Sequence, residues 1–173
     1  MPPSKLPWCG FFALLPVFLV SLAGCASDSA SQSRCEPATE SCTSARDLGE
    51  VEGDTSDSVP ITATGNGSAF VSVLVSEISW SDRSISVRGT LTATGQASYD
   101  LLLYVDKEHD NTLGCAFPPL LASNGVVDAD WPDINDGSSQ DRKVVFEIRH
   151  RSGPCDGGWQ LKIEGNQTSV DAP

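Results

Sequence analysis

Basic side chains are scarce in this chain of 173 residues: 11 lysines and arginines face 23 aspartates and glutamates, for a net charge of −12. So acidic a surface is a poor partner for nucleic acid or anionic head groups. Histidine is scarcer still, with only His109 and His150. No Cys-x-x-Cys spacing and no His-Glu-x-x-His run occurs, which removes the usual ligand sets of zinc sites. Gly-x-Ser-x-Gly is absent too, and with it the nucleophile elbow of the α/β hydrolases. Long hydrophobic runs are missing except near the amino terminus. That run is shorter than the roughly 20 residues a spanning helix needs, carries Pro16, and has no basic cluster after it.

What the amino terminus does contain is a basic residue, Lys5, an apolar core over residues 11–22, and small residues at Ala23 and Gly24. That layout predicts a secretory signal peptide over residues 1–24. Its last four residues, Leu22-Ala23-Gly24-Cys25, resemble the lipobox of bacterial lipoproteins. The resemblance implies cleavage between Gly24 and Cys25, a lipid on the Cys25 thiol, and acylation of the new amino terminus. One chain holds a protein to a bilayer only marginally, at about 0.8 kcal/mol per buried methylene; several chains on one cysteine hold it stably. Alanine rather than aspartate at residue 26 implies, by the same resemblance, an outer-membrane location. The alternative is an ordinary signal peptide with a chance cysteine. Cleavage would remove only Lys5 among the charges, leaving 10 basic against 23 acidic residues, or −13.

With Cys9 lost and Cys25 lipidated, Cys35, Cys42, Cys115 and Cys155 remain, an even number suited to an oxidising compartment. Four cysteines allow three pairings. Proximity favours Cys35–Cys42, stapling a small loop in a polar segment, and Cys115–Cys155 within the domain proper. A loop of the latter size contributes roughly 4 kcal/mol on the chain-entropy model.

Residues 26–58 are rich in serine, threonine and acids and poor in large apolar residues, so residues 25–58 read as a disordered, lipid-bearing tether. A coil from Cys25 to Asp47 spans about 25 Å on average. From residue 59 to 165 the pattern turns to period two. Val71, Val73 and Val75 fall on one face, as do Ile85, Val87, Leu91 and Ala93; Leu101, Leu103 and Val105; Val144, Phe146 and Ile148; and Trp159, Leu161 and Ile163. Such alternation marks half-buried strands. Turn-forming dipeptides such as Asn124-Gly125 separate them. With no amphipathic helix in between, the pattern predicts an all-β antiparallel sandwich, followed by a short tail over residues 166–173.

The order of these segments, notably "YDLLLYVD" at residues 99–106 and "GWQLKI" at 158–163, resembles the bacterial pre-peptidase C-terminal module over about residues 46–165. The resemblance implies a jelly-roll-like sandwich. Members of that family usually accompany a catalytic domain, for which this chain has no room.

Chemistry-bearing residues are few. In "DKEHDN", Asp106, Glu108 and Asp110 alternate as calcium ligands can, but Asn111 and Phe117 stand where an EF-hand needs glycine and glutamate. A solvated acidic loop is the alternative, and no cofactor is expected otherwise. Trp131, in the acidic stretch "DADWPDIND", and Trp80, in "ISWSDRS", are candidates for a ligand loop that stacks on a sugar or anchors a protein. Packing against the sandwich edge is the competing expectation for both. His150 reads as a strand-edge residue, and Trp159 as core. The expectation is a lipid-anchored, non-catalytic envelope module binding an extracellular protein or glycan. An accessory to a secreted enzyme such as a protease is the second reading, and a small hydrolase with an unrecognised site the third.

Overall fold

A computed structural model describes residues 35, 37–55, 57–77, 84–106, 115, 118–134 and 139–166, all within the unit Gln32–Pro173. Among the described residues there are nine strands and a single 3-10 turn, Cys42–Ser44. The strands are β1 (Arg46–Glu52), β2 (Ile61–Asn66), β3 (Ala69–Ser76), β4 (Ile85–Ala93), β5 (Ser98–Val105), β6 (Leu120–Leu121), β7 (Val126–Trp131), β8 (Arg142–Ser152) and β9 (Gly158–Gly165). They form a five-stranded sheet in the order β1-β3-β8-β5-β6 and a four-stranded sheet in the order β2-β9-β4-β7. The fold is an all-β sandwich.

Alternation explains why the two sheets stack. β3 turns Val71, Val73 and Val75 inward, β5 turns Leu101 and Leu103, and β8 turns Val144, Phe146 and Ile148. From the smaller sheet Ile85, Val87, Trp159, Leu161 and Ile163 meet them in one core. β-Branched and aromatic side chains suit a pleated, half-buried surface. Fully burying each such side chain contributes about 1.5–3 kcal/mol. The sheets come closest where Gly89 of β4 lies under the ring of Phe146: a β-carbon at Gly89 would sit 2.4 Å from the ring.

The chain passes between sheets through a tight turn. Ser123 and Val126 exchange both backbone hydrogen bonds, at 2.9 and 3.0 Å. Asn124 and Gly125 between them both have positive φ, 52° and 78°. That is the geometry of a two-residue hairpin turn, and Asn-Gly adopts it at low cost.

Four expectations need correction. Residues 46–52, expected to belong to the tether, form β1 at the edge of the larger sheet. β1 pairs with β3 in parallel, so the sandwich is not wholly antiparallel. A bulge between Asp47 and Glu50, with Gly49 N–H donating to Asp47 Oδ1, interrupts the register. Residues 128–131, expected in an acidic loop, belong to β7: Val127, Ala129 and Trp131 face the core while Asp128 pairs with Arg88.

The disulfides differ too. Cys35 is bonded to Cys155 and Cys42 to Cys115, not Cys35 to Cys42. Sequence proximity misled because residues 37–41 are not a free loop. They lie between two anchors on the sandwich, one in the β8–β9 turn and one in the β5–β6 connection.

Candidate functional site

The two bridges hold residues 37–40 beside the turn that joins β2 to β3, and a cleft of about 470 Å³ opens between them. One wall is Pro37, Ala38, Thr39 and Glu40; the other is the turn from Thr64 to Phe70; Arg46 and Trp159 complete it. The turn is shaped by its neighbours. Trp159 Nε1 donates to the carbonyl of Gly67 at 3.0 Å. Its ring occupies the space over Gly65, where a β-carbon would come within 2.5 Å of it. Gly67 itself has φ +67°, a conformation that favours glycine. The indole therefore acts as a platform under the turn and is itself buried, as its core periodicity predicts.

This cleft is within the size range of small-ligand sites, which run from about 300 to 1,000 Å³. Among the described residues its charged side chains are Glu40 and Arg46, one of each sign, and Thr39, Thr64 and Ser68 bring hydroxyls to the lining. Among the described residues no group of three or more histidine, cysteine, aspartate or glutamate side chains could hold a metal ion.

His150 lies behind this region, on β8. Its Nδ1 is 3.3 Å from Cys35 Sγ, and its backbone N–H donates to Ser68 Oγ at 3.0 Å. Tyr99 meets the imidazole edge-on, with ring centroids 5.3 Å apart, and donates its hydroxyl to the Gly157 carbonyl. His150 thus ties β8 to the start of β3 and to the disulfide.

A second polar cluster lies on β5 and β8. Tyr104 donates to Glu147 Oε2 at 2.7 Å, and Arg149 Nε donates to Glu147 Oε1 at 2.9 Å. Burial and the adjacent Glu147 carboxylate push the Tyr104 phenol up to about 12. The hydrogen bond to Glu147 holds the Arg149 guanidinium above its ordinary value. The three side chains form one hydrogen-bonded network across β5 and β8.

The residues singled out from the sequence fare differently. Trp131, a candidate for a ligand loop with packing as the alternative, is the last residue of β7 and 3% exposed. Its Nε1 donates to the Gln140 carbonyl at 3.0 Å, and the Arg142 guanidinium lies 4.9 Å over its ring. It is therefore a packing residue, because its alternation with Val127 and Ala129 turns it inward. Trp80 lies outside the described residues, as do Cys25, Gly24, Glu108 and Asp110. Asp106 is 1% exposed, and Arg142 donates to its carbonyl at 3.2 Å.

The cleft residues themselves escaped the sequence reading. Residues 37–40 have a tether's composition, and only the identity of Cys35's partner shows that they are held in place. Comparison with family models, with curated proteins and with solved structures finds no match for this chain.

Proposed function

We propose that this chain is a lipid-anchored, non-catalytic module of the bacterial cell envelope that binds an extracellular protein or glycan through the cleft beside the β2–β3 turn. The observation that carries the binding role is the cleft itself, a concave surface whose wall is fixed by two disulfides. A preformed wall spares the ordering entropy a free tether would lose on binding. The bridges also support a secreted, oxidising location. The signal-peptide layout and the Leu-Ala-Gly-Cys run support lipid attachment at Cys25, and Ala26 supports the outer membrane.

On this reading the leash is short. Nine residues separate Cys25 from Cys35, which is fixed to the domain. Ten extended steps reach at most about 35 Å, so on this reading Cys35 lies within that reach of a lipidated Cys25.

Two experiments test the proposal. Cys25→Ser should move the protein out of the membrane fraction, and mass analysis of the wild type should find acyl chains on Cys25; a membrane-bound variant and an unacylated wild type refute the anchor. Glycan and protein arrays should give a saturable ligand whose affinity falls roughly tenfold, about 1.4 kcal/mol, in Arg46→Ala. Binding untouched by Arg46→Ala and by Asn66→Ala refutes the cleft. Co-purification with one secreted enzyme and no array ligand would instead favour the accessory role, which the likeness to pre-peptidase C-terminal modules supports.

A further inference from the structure

One of the two disulfides, Cys35–Cys155, has an imidazole beside it. The sulfur of Cys35 faces Nδ1 of His150 at 3.3 Å. A disulfide sulfur is a weak acceptor. The other ring nitrogen, Nε2, is buried and has no hydrogen-bond partner among the described residues. The imidazole is held against the bridge by Tyr99 and by the bond from its own backbone to Ser68. Among the described residues this ring thus has no strong partner at either nitrogen. A thiolate on Cys35 would give an Nδ1–H the charged acceptor it lacks, and a neighbouring imidazolium favours thiolate over thiol.

We infer that Cys35–Cys155 is a thiol-exchange site opened by a dithiol reductant, with His150 stabilising the departing Cys35 thiolate, while Cys42–Cys115 is the permanent staple. The chemistry balances with the dithiol alone. One thiolate of the reductant attacks Cys155 Sγ, the Cys155–Cys35 bond breaks, and its electron pair leaves on Cys35, which accepts a hydrogen bond from His150 Nδ1–H, or its proton when the ring is an imidazolium. The second thiol of the reductant then attacks the mixed disulfide, releasing Cys155 as a thiol and the reductant as its own disulfide. Two electrons pass to the protein, and the reductant's two protons end on the two cysteine sulfurs or on His150.

Opening this bridge has a defined consequence. Residues 37–40 lie between Cys35 and Cys42 and form one wall of the cleft. Reduction frees their amino-terminal end from the β8–β9 turn, while Cys42–Cys115 and β1 keep the other end in place. The cleft then opens on one side. Only this consequence rests on reading the cleft as the binding site; the exchange chemistry stands or falls alone.

The test is a redox titration of the full chain in buffers of reduced and oxidised dithiothreitol, quenched by alkylation and read peptide by peptide. Cys35 and Cys155 are expected to be half-reduced at a dithiol-to-disulfide ratio at least tenfold lower than Cys42 and Cys115. His150→Phe, which keeps a ring for Tyr99 but no nitrogen, should raise the ratio needed at Cys35 about tenfold, equivalent to about 30 mV for a two-electron couple. His150→Gln, which cannot be protonated, should shift it in the same direction and serves if the phenylalanine variant does not fold. Equal or reversed order of the two bridges, or no shift in the folded His150 variant, overturns the assignment. Hydrogen exchange on the selectively reduced protein should speed up at residues 37–40 and 64–68 while β8 stays protected. Unchanged exchange there, or loss of protection throughout, overturns the opening of the cleft.

Discussion

Gly89→Ala is the smallest change that probes the contact between the two sheets. A β-carbon at residue 89 would stand 2.4, 3.0 and 3.3 Å from three atoms of the Phe146 ring. Ordinary carbon contacts begin near 3.5 Å, so the ring must retreat by about 1 Å. Phe146 is fully buried and its register partners, Val71 and Leu103, are fully buried too, so there is little space to retreat into. Overpacking of this kind costs about 1–3 kcal/mol. With a urea slope of about 2 kcal/mol/M, the unfolding midpoint should fall by roughly 0.5–1.5 M at unchanged slope. Phe146→Leu alone should also destabilise, by leaving space at the same spot. Combined, the two changes partly compensate, because the added methyl enters the space the ring edge vacates. The double variant should therefore be more stable than the sum of the single losses by about 0.5 kcal/mol or more. A midpoint for Gly89→Ala within 0.2 M of wild type, or strict additivity in the double variant, would refute the face-to-face packing of β4 on β8.

Trp131→Ala should cost about 3–5 kcal/mol in urea unfolding, since it removes a buried indole, its bond to Gln140 and its contact with Arg142; a near-neutral effect would mean the side chain is on the surface after all. The Tyr104 phenol, pushed up to about 12, links stability to alkaline pH. Its folded value lies above the unfolded one, so the contribution is complete below about pH 10 and is lost as pH rises towards 12. Allowing for solvent screening, this amounts to about 1–2 kcal/mol. Tyr104→Phe should flatten that part of the stability profile relative to wild type, and identical profiles would contradict the hydrogen bond to Glu147.

The strands that carry the core were legible because they alternate strictly. Val71, Val73 and Val75, or Val144, Phe146 and Ile148, can turn to the same face only in an extended chain, and all six are fully buried. β1 was hidden because "RDLGEVE" offers just Leu48 and Val51 for burial, and its bulge shifts their register. β7 was hidden because its inward set includes the small Ala129, and acids alternate with it. A run of aspartates reads as a loop when the partner strand is unknown; Arg88, which pairs with Asp128, lies 40 residues away. The cleft was illegible for a similar reason. Its wall is made of residues with no apolar pattern, held by bonds over sequence separations of 120 and 73 residues. Loop-closure entropy discourages such pairings in the unfolded chain, so spacing alone favours the short loop. Once the sandwich forms, the anchors are already adjacent and that cost has been met.

Disulfide connectivity tests the account most directly, because the wall of the cleft, the length of the leash and the exchange site all depend on it. A peptide map of the protein digested without reduction should yield Cys35 joined to Cys155 and Cys42 joined to Cys115. A peptide linking Cys35 to Cys42 would contradict it, and residues 37–40 would then have nothing to hold them beside the β2–β3 turn.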